Sequence, residues 1–138
     1  MSTEFIHMAE LVEAAIAVRT HSYSPYSGYS VGAAVLDEKG RIHSGTNVEN
    51  AAYPDGVCAE TAAIAAMIAG GGRRIEAVAV AGPEGEPCTP CGGCRQRIRE
   101  FAAPETPILI CDPDGARARF TLTDLLPASF GPGNLSSS

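Results

Sequence analysis

Cys58-Ala59-Glu60 heads a helix-forming run that continues to Ala69, and Pro90-Cys91-Gly92-Gly93-Cys94 heads a second run that continues to Phe101. The two heads carry three thiols and one carboxylate, and their chemistry requires a fold that brings them together. A C-x2-C pair at a helix start delivers two sulfurs to one point, which suits a metal. Thr89 fits an N-cap, and Pro90 fits the first turn, where a missing N–H is tolerated. Cys91 and Cys94 then lie in that turn, where the helix dipole lowers thiol pKa values. Cys58 starts the other helix, and Glu60, two residues on, can enter the same cavity without being a ligand. Three ligands leave one tetrahedral position to solvent, as a catalytic zinc requires, whereas a structural zinc is closed by four. These residue types describe a hydrolytic zinc site with its own proton shuttle.

A lone C-x2-C also fits a dithiol redox pair or half of a zinc ribbon. The redox reading uses neither Glu60 nor Cys58. The zinc-ribbon reading gains something from Cys88, which makes a further C-x2-C with Cys91 and could close the metal in a non-enzymatic four-cysteine module.

At 138 residues the chain is expected to form one domain, with enough length for a real core. Hydrophobic residues are 45% of the chain, yet no apolar run approaches a membrane span, and Met1 to Ala9 does not read as a signal peptide. The formal net charge of −6, without a lysine-arginine block, argues against a polynucleotide as the main partner. A small neutral or cationic substrate suits it better. Five cysteines, three of them placed for metal, point to a reducing cytosol and hence a cytoplasmic protein.

Working outward, Glu4 to Thr20 reads as an amphipathic packing helix through Phe5, Met8, Leu11, Val12, Ala15 and Val18. The loop His21 to Gly28 holds Tyr23 and Tyr26, aromatics that either cover the core or stack on a ring. Tyr29 to Leu36 and Arg41 to Thr46 read as a hairpin about Asp37-Glu38-Lys39-Gly40, with His43 an ordinary residue rather than a ligand. Asn47-Val48-Glu49-Asn50 either grips hydroxyl groups or caps its own backbone. The apolar helix from Cys58 to Ala69 reads as buried and ends at Gly70-Gly71-Gly72. Ile75 to Ala81 is a strand; Cys91 to Phe101 is a helix with Arg95, Arg97 and Arg99 mostly on its solvent side. Pro107 to Cys111 and Arg117 to Leu122 are strands, Thr123 caps a short helix through Leu126, and the tail from about Gly131 is mobile. Strands alternating with helices imply an α/β layer fold.

With these motifs in order, the chain resembles the small homotetrameric zinc-dependent cytidine deaminases. The resemblance rests on Ser24-Pro25-Tyr26-Ser27, Val31-Gly32-Ala33-Ala34, Asn47-Val48-Glu49-Asn50-Ala51, Cys58-Ala59-Glu60, Pro90-Cys91-Gly92-Gly93-Cys94-Arg95-Gln96, Leu125-Leu126-Pro127 and Phe130-Gly131-Pro132, and covers roughly residues 8 to 132. Zinc deaminases hold their metal by one histidine and two cysteines or by three cysteines, beside a non-ligating glutamate and a P-C-x-x-C motif. Here Cys58 replaces the histidine. The resemblance implies a three-layer α/β/α sandwich on a five-stranded mixed sheet, one zinc ion per chain, and hydrolysis of cytidine and deoxycytidine to uridine and deoxyuridine in pyrimidine salvage.

By the same resemblance, Cys58, Cys91 and Cys94 are the zinc ligands, and Glu60 carries protons from water to N3 and to the leaving amine. Asn47 and Glu49 hold ribose hydroxyls, Tyr29 packs on the pyrimidine, and the main chain of Ala59 contacts the base. Ala51, Tyr53 and Phe130 reach a neighbouring subunit's pocket, so a homotetramer with shared sites is expected. A blasticidin S deaminase shares the metal motifs, but a ribose-free substrate would not need Asn47 and Glu49. One departure stands out: where many members place an arginine after C-A-E, this chain has Thr61. Three thiolates on a zinc dication leave a net negative site, which the two helix N-termini and Arg95 are then expected to offset.

Overall fold

The computed structural model describes residues 3–135, with side-chain surroundings from His7 onward; Phe5, expected on the packing face of the first helix, lies outside the described side chains. Helix α1 (Thr3–Arg19) buries Leu11 and Ala15, one turn apart, with Met8 and Val12 packed beside them. Strands β1 (Gly32–Asp37) and β2 (Ile42–Thr46) form the expected hairpin, pairing Val35 with His43. Its turn passes through Gly40 at φ +78°, a conformation that suits glycine. The first strand begins at Gly32 rather than Tyr29. The Asn47 side chain bonds the Tyr29 carbonyl and the Val31 amide, holding residues before the strand out of the ladder.

Helix α2 spans Ala59–Ala69, β3 Ile75–Ala81, α3 Gly92–Phe101, β4 Pro107–Asp112 and β5 Gly115–Thr121. The strands order as β2-β1-β3-β4-β5, antiparallel except for the parallel pair β3–β4, whose crossover contains α3. The period-two alternation of the sheet separates two cores. Ala77, Ala79 and Ala81 of β3, with Ala34, Leu36, Leu109 and Cys111, face α1. Val78 and Val80, with Val35, Ile108 and Ile110, face Ala63, Ile64 and Met67 of α2 and Ile98 of α3. The expected α/β sandwich is therefore observed. Close approach of α2 to β2 depends on Gly45, where a Cβ would meet the Ala62 Cβ at 2.6 Å.

Two caps differ from expectation. Cys91, not Thr89, is the N-cap of α3, while the Thr89 hydroxyl accepts from Arg95 Nη2 at 3.2 Å. The last helix, α4 (Leu122–Leu125), is capped by Thr121 rather than Thr123, in a reciprocal box with Asp124. Thr123 Oγ1 donates to the Pro104 carbonyl instead. Arg95 and Arg99 also depart from the expected solvent-facing side. Arg95 binds the carbonyls of Pro90 and Leu125, and Arg99 binds Ser129 Oγ, tying α3 to the C-terminal segment. In that segment Pro132–Asn134 form a 3-10 turn closed by Asn134 on the Gly131 amide, and residues 136–138 lie outside the described residues.

Candidate active site

Two N-caps and one first-turn residue build the centre. Cys58 caps α2 and Cys91 caps α3, both with extended backbone and neither with a side-chain capping bond, so their sulfurs stay available. Cys94 is the third residue of α3 and is fully buried, whereas Cys58 and Cys91 are exposed. The three Sγ atoms lie within 4.8 Å of one another, with Cys58 and Cys91 at 3.9 Å. Ligands 2.3 Å from a tetrahedral zinc stand about 3.8 Å apart, so the spacing accepts that ion.

The electrostatics favour a cation at this point. Burial, then the neighbouring Cys91, pushes the Cys58 thiol up. Burial, then the Glu60 carboxylate, pushes Cys94 up further. Burial would raise Cys91 as well, but the Cys94 amide and the Cys94 and Cys58 side chains hold it below the ordinary thiol value. Three sulfurs so close to a buried carboxylate cannot all ionise unless a dication joins them. The positive ends of α2 and α3 converge on them from the same side of the sheet.

Glu60, 5% exposed, is the second residue of α2. Burial raises its pKa, opposed by its own backbone amide, by Cys94 and by the charge of Arg97. Its carboxyl opens into a cavity of about 380 Å³ lined also by Tyr29, Val31, Asn47, Cys58, Ala59, Pro87, Cys88, Thr89 and Cys91. That volume suits a small ligand. The cavity therefore gathers Glu60, two of the sulfurs, Tyr29, Asn47 and Ala59 in one place. Burial first, and the adjacent Cys88 next, push the Tyr29 phenol to about 12, so it remains a neutral donor.

The remaining expected residues lie elsewhere in the chain. Glu49 and Tyr53 line a separate cleft with Tyr26, Ser27 and Asn50. Glu49 Oε1 accepts from the amides of Tyr26 and Ser27 at 2.9 and 3.1 Å, and Oε2 from Ser27 Oγ. Asn47 Oδ1 accepts from the Val31 amide at 3.0 Å and from Ser22 Oγ, and Nδ2 donates to the Tyr29 carbonyl at 2.8 Å. Both residues thus brace the loop, the alternative to gripping hydroxyls, although a carboxylate retains lone pairs for a further donor. Ala51 is exposed, and Phe130, 57% exposed, accepts at its carbonyl from Gln96 Nε2.

Sequence reasoning missed the neighbours of Cys94. Thr61 Oγ1 lies 3.6 Å from its sulfur and Arg97 Nη1 lies 4.0 Å from it. Arg95, expected to offset the thiolate charge, is committed to backbone carbonyls. The one cue available was position, because Arg97 stands three residues beyond Cys94 on the same helix face. Among the described residues the cluster with the spacing to hold a metal ion is Cys58, Cys91 and Cys94; Cys88 is outside it, beside Tyr29.

Over residues 7–110 the chain matches the family described as the cytidine and deoxycytidylate deaminase zinc-binding region. It is 40% identical over 118 residues to a cytidine deaminase of Sporosarcina psychrophila, covering 86% of this chain and 87% of that one. It is 42% identical over 114 residues to a cytidine deaminase of Mycobacterium tuberculosis, covering 83% of this chain and 82% of that one. Among solved structures, the cytidine deaminase of Burkholderia pseudomallei superposes with a TM-score of 0.82 at 37% identity, covering 94% of this chain and all of that one. The cytidine deaminase of Mycobacterium leprae gives 0.73 at 42% identity, covering 86% and 95%.

Proposed function

This chain belongs to the cytidine and deoxycytidylate deaminase family, and on that basis we propose that it hydrolyses cytidine and deoxycytidine to uridine and deoxyuridine with release of ammonia. The observation that carries the reading is the triad of sulfurs within 4.8 Å, with buried Glu60 opening into the adjoining cavity. Cys58, Cys91 and Cys94 hold one zinc ion. When bound, zinc acts as a Lewis acid that brings the pKa of water from 15.7 toward about 7.

The chain's own groups do the rest. A Glu60 carboxylate oxygen takes a proton from the attacking water and delivers it to N3 of the pyrimidine. The same oxygen then takes that water's remaining proton from the new hydroxyl on C4 and passes it to the amine, so the C4–N bond breaks, ammonia leaves and C4 becomes a carbonyl. Burial, which raises the Glu60 pKa, suits it to hold a proton between those steps. Tyr29 packs against the ring, the Ala59 main chain meets the base edge, and Asn47 and Glu49 orient the sugar hydroxyls from a loop they already brace.

The working form is a homotetramer. Tyr26 and Tyr53 pack edge to face with ring centroids 5.8 Å apart, and both are exposed, as are Val48, Val57 and Phe130, which suits a surface that packs against other copies. Packing it against other copies takes Ala51, Tyr53 and Phe130 to a neighbour's pocket. The protein acts in the cytoplasm, where its five free cysteines remain reduced. No helix among the described residues is long and apolar enough to cross a membrane.

Loss of ultraviolet absorbance as cytidine is consumed, with and without a zinc chelator, tests the activity. Glu60→Gln should retain one zinc and bind nucleoside while losing about 10² to 10⁴ in kcat. Near-normal turnover would remove Glu60 from the proton path.

A further inference from the structure

Cys94 differs from its two companions. It is the buried sulfur of the three, and water cannot solvate the charge it carries as a ligand. With Glu60 buried alongside, the centre has an excess of negative charge that the chain must offset. We propose that Arg97, with Thr61 as second donor, is a positioning residue that holds the Cys94 thiolate and offsets the charge of the metal centre. This rests on the reading of Cys58, Cys91 and Cys94 as zinc ligands.

Three observations converge on Arg97. Its Nη1 lies 4.0 Å from Cys94 Sγ, within reach of a hydrogen bond to sulfur, while Thr61 Oγ1 reaches the same atom at 3.6 Å from α2. Its guanidinium folds back over the first turn of α3, where a Cβ on Gly93 would stand 3.1 Å from Nη1. A side chain at residue 93 would press on the guanidinium and make it shift by a few tenths of an ångström. A cation lying there opposes the helix dipole, so the arrangement is favourable only with an anion beneath it. Among the described residues no carboxylate pairs with Arg97 within 4.0 Å. Cys94 is thus the anion in contact with it, while its charge also acts on the buried Glu60.

Arg97 and Thr61 approach from the outer groove between α2 and α3, which they line with Ile64, Gln96 and Phe101. The substrate cavity opens elsewhere, onto Tyr29 and Asn47. Arg97 therefore acts through the sulfur and not on the substrate. A planar guanidinium has spare donors for such a contact.

The test compares wild type with Arg97→Gln, Arg97→Lys and the double variant Thr61→Arg/Arg97→Gln. Zinc affinity is read by competition with a chromophoric chelator, and the thiolate-to-cobalt charge-transfer band is read after cobalt substitution. Partners that orient metal ligands are worth roughly 10- to 100-fold, and solvent exposure of Arg97 puts the expectation near tenfold. Arg97→Gln should weaken zinc binding by about that factor, move the charge-transfer band to lower energy, and lower kcat with KM unchanged. Arg97→Lys should recover part of the loss, and the double variant should recover more by placing a guanidinium on the other helix. Wild-type affinity and an unshifted band in Arg97→Gln would overturn the role of Arg97 while leaving the deaminase reading intact. A wild-type chain that binds no metal would overturn both.

Discussion

Replacing Asp37 with Asn should cost about 2 to 4 kcal/mol of stability at neutral pH without touching the chemistry. Asp37 ends β1, and its side chain is fully buried. Oδ1 accepts from the amides of Lys39 and Arg41 at 2.8 and 3.0 Å, and Oδ2 accepts from Arg41 Nε at 3.1 Å and His43 Nε2–H at 2.8 Å. Asparagine can keep the two bonds at Oδ1, but its amide group would face two donors where Oδ2 stood. A hydrogen bond to a charged group is worth about 1.5 to 3 kcal/mol. The His43 bond counts near that, since its side chain is 14% exposed. The Arg41 bond counts for about 1 kcal/mol or less, because its side chain is 43% exposed and water screens the pair. Burial would raise the Asp37 pKa, but His43, the amides of Arg41 and Lys39, and the Arg41 charge hold it well below the ordinary 3.8. A depressed folded-state value contributes stability that is present above 3.8 and lost as pH falls through the depressed value. The gap between wild type and variant should therefore narrow in acid. Urea denaturation of both proteins at pH 7 and pH 3, followed by circular dichroism, measures it. A loss under about 1 kcal/mol at pH 7, or a gap that ignores pH, would refute the accounting.

Cys88→Ala should retain one zinc per chain by metal analysis; loss of the metal would revive a four-cysteine closed site. Phe130→Ala should weaken assembly, seen as a lower mass by light scattering at micromolar concentration, and should raise KM. A buried aromatic contact between subunits is worth about 2 kcal/mol or more, so an unchanged mass and KM would remove Phe130 from any shared pocket.

Much of the architecture could be read from local pattern. The positions of α1, β3 and the β1–β2 hairpin followed from three- and four-residue apolar spacing in the helix and from short apolar runs bounded by turn residues in the strands, although β1 begins at Gly32 rather than Tyr29. The grouping of the three sulfurs followed for a related reason. C-x2-C at a helix start constrains two sulfurs covalently, and the third cysteine heads the other helix that the fold brings to the same place. Capping was less accessible. Thr89 and Thr123 both looked able to cap a helix, and which residue caps depends on the turn the backbone takes. At α3 the cap position fell to Cys91, and Thr89 went to Arg95.

The sequence by itself determined the class of layers, the three thiols and the carboxylate beside them, since these depend on residue type and short spacing. Only the tertiary structure decided what the long polar side chains do. Arg95 turns inward to backbone carbonyls, Arg97 folds back toward Cys94, and Asn47 and Glu49 brace the loop before β1. A long side chain can satisfy several partners within its reach, and the choice falls to whichever unpaired donor or acceptor packing leaves nearby. Those partners come from distant parts of the chain, so no window of sequence contains them.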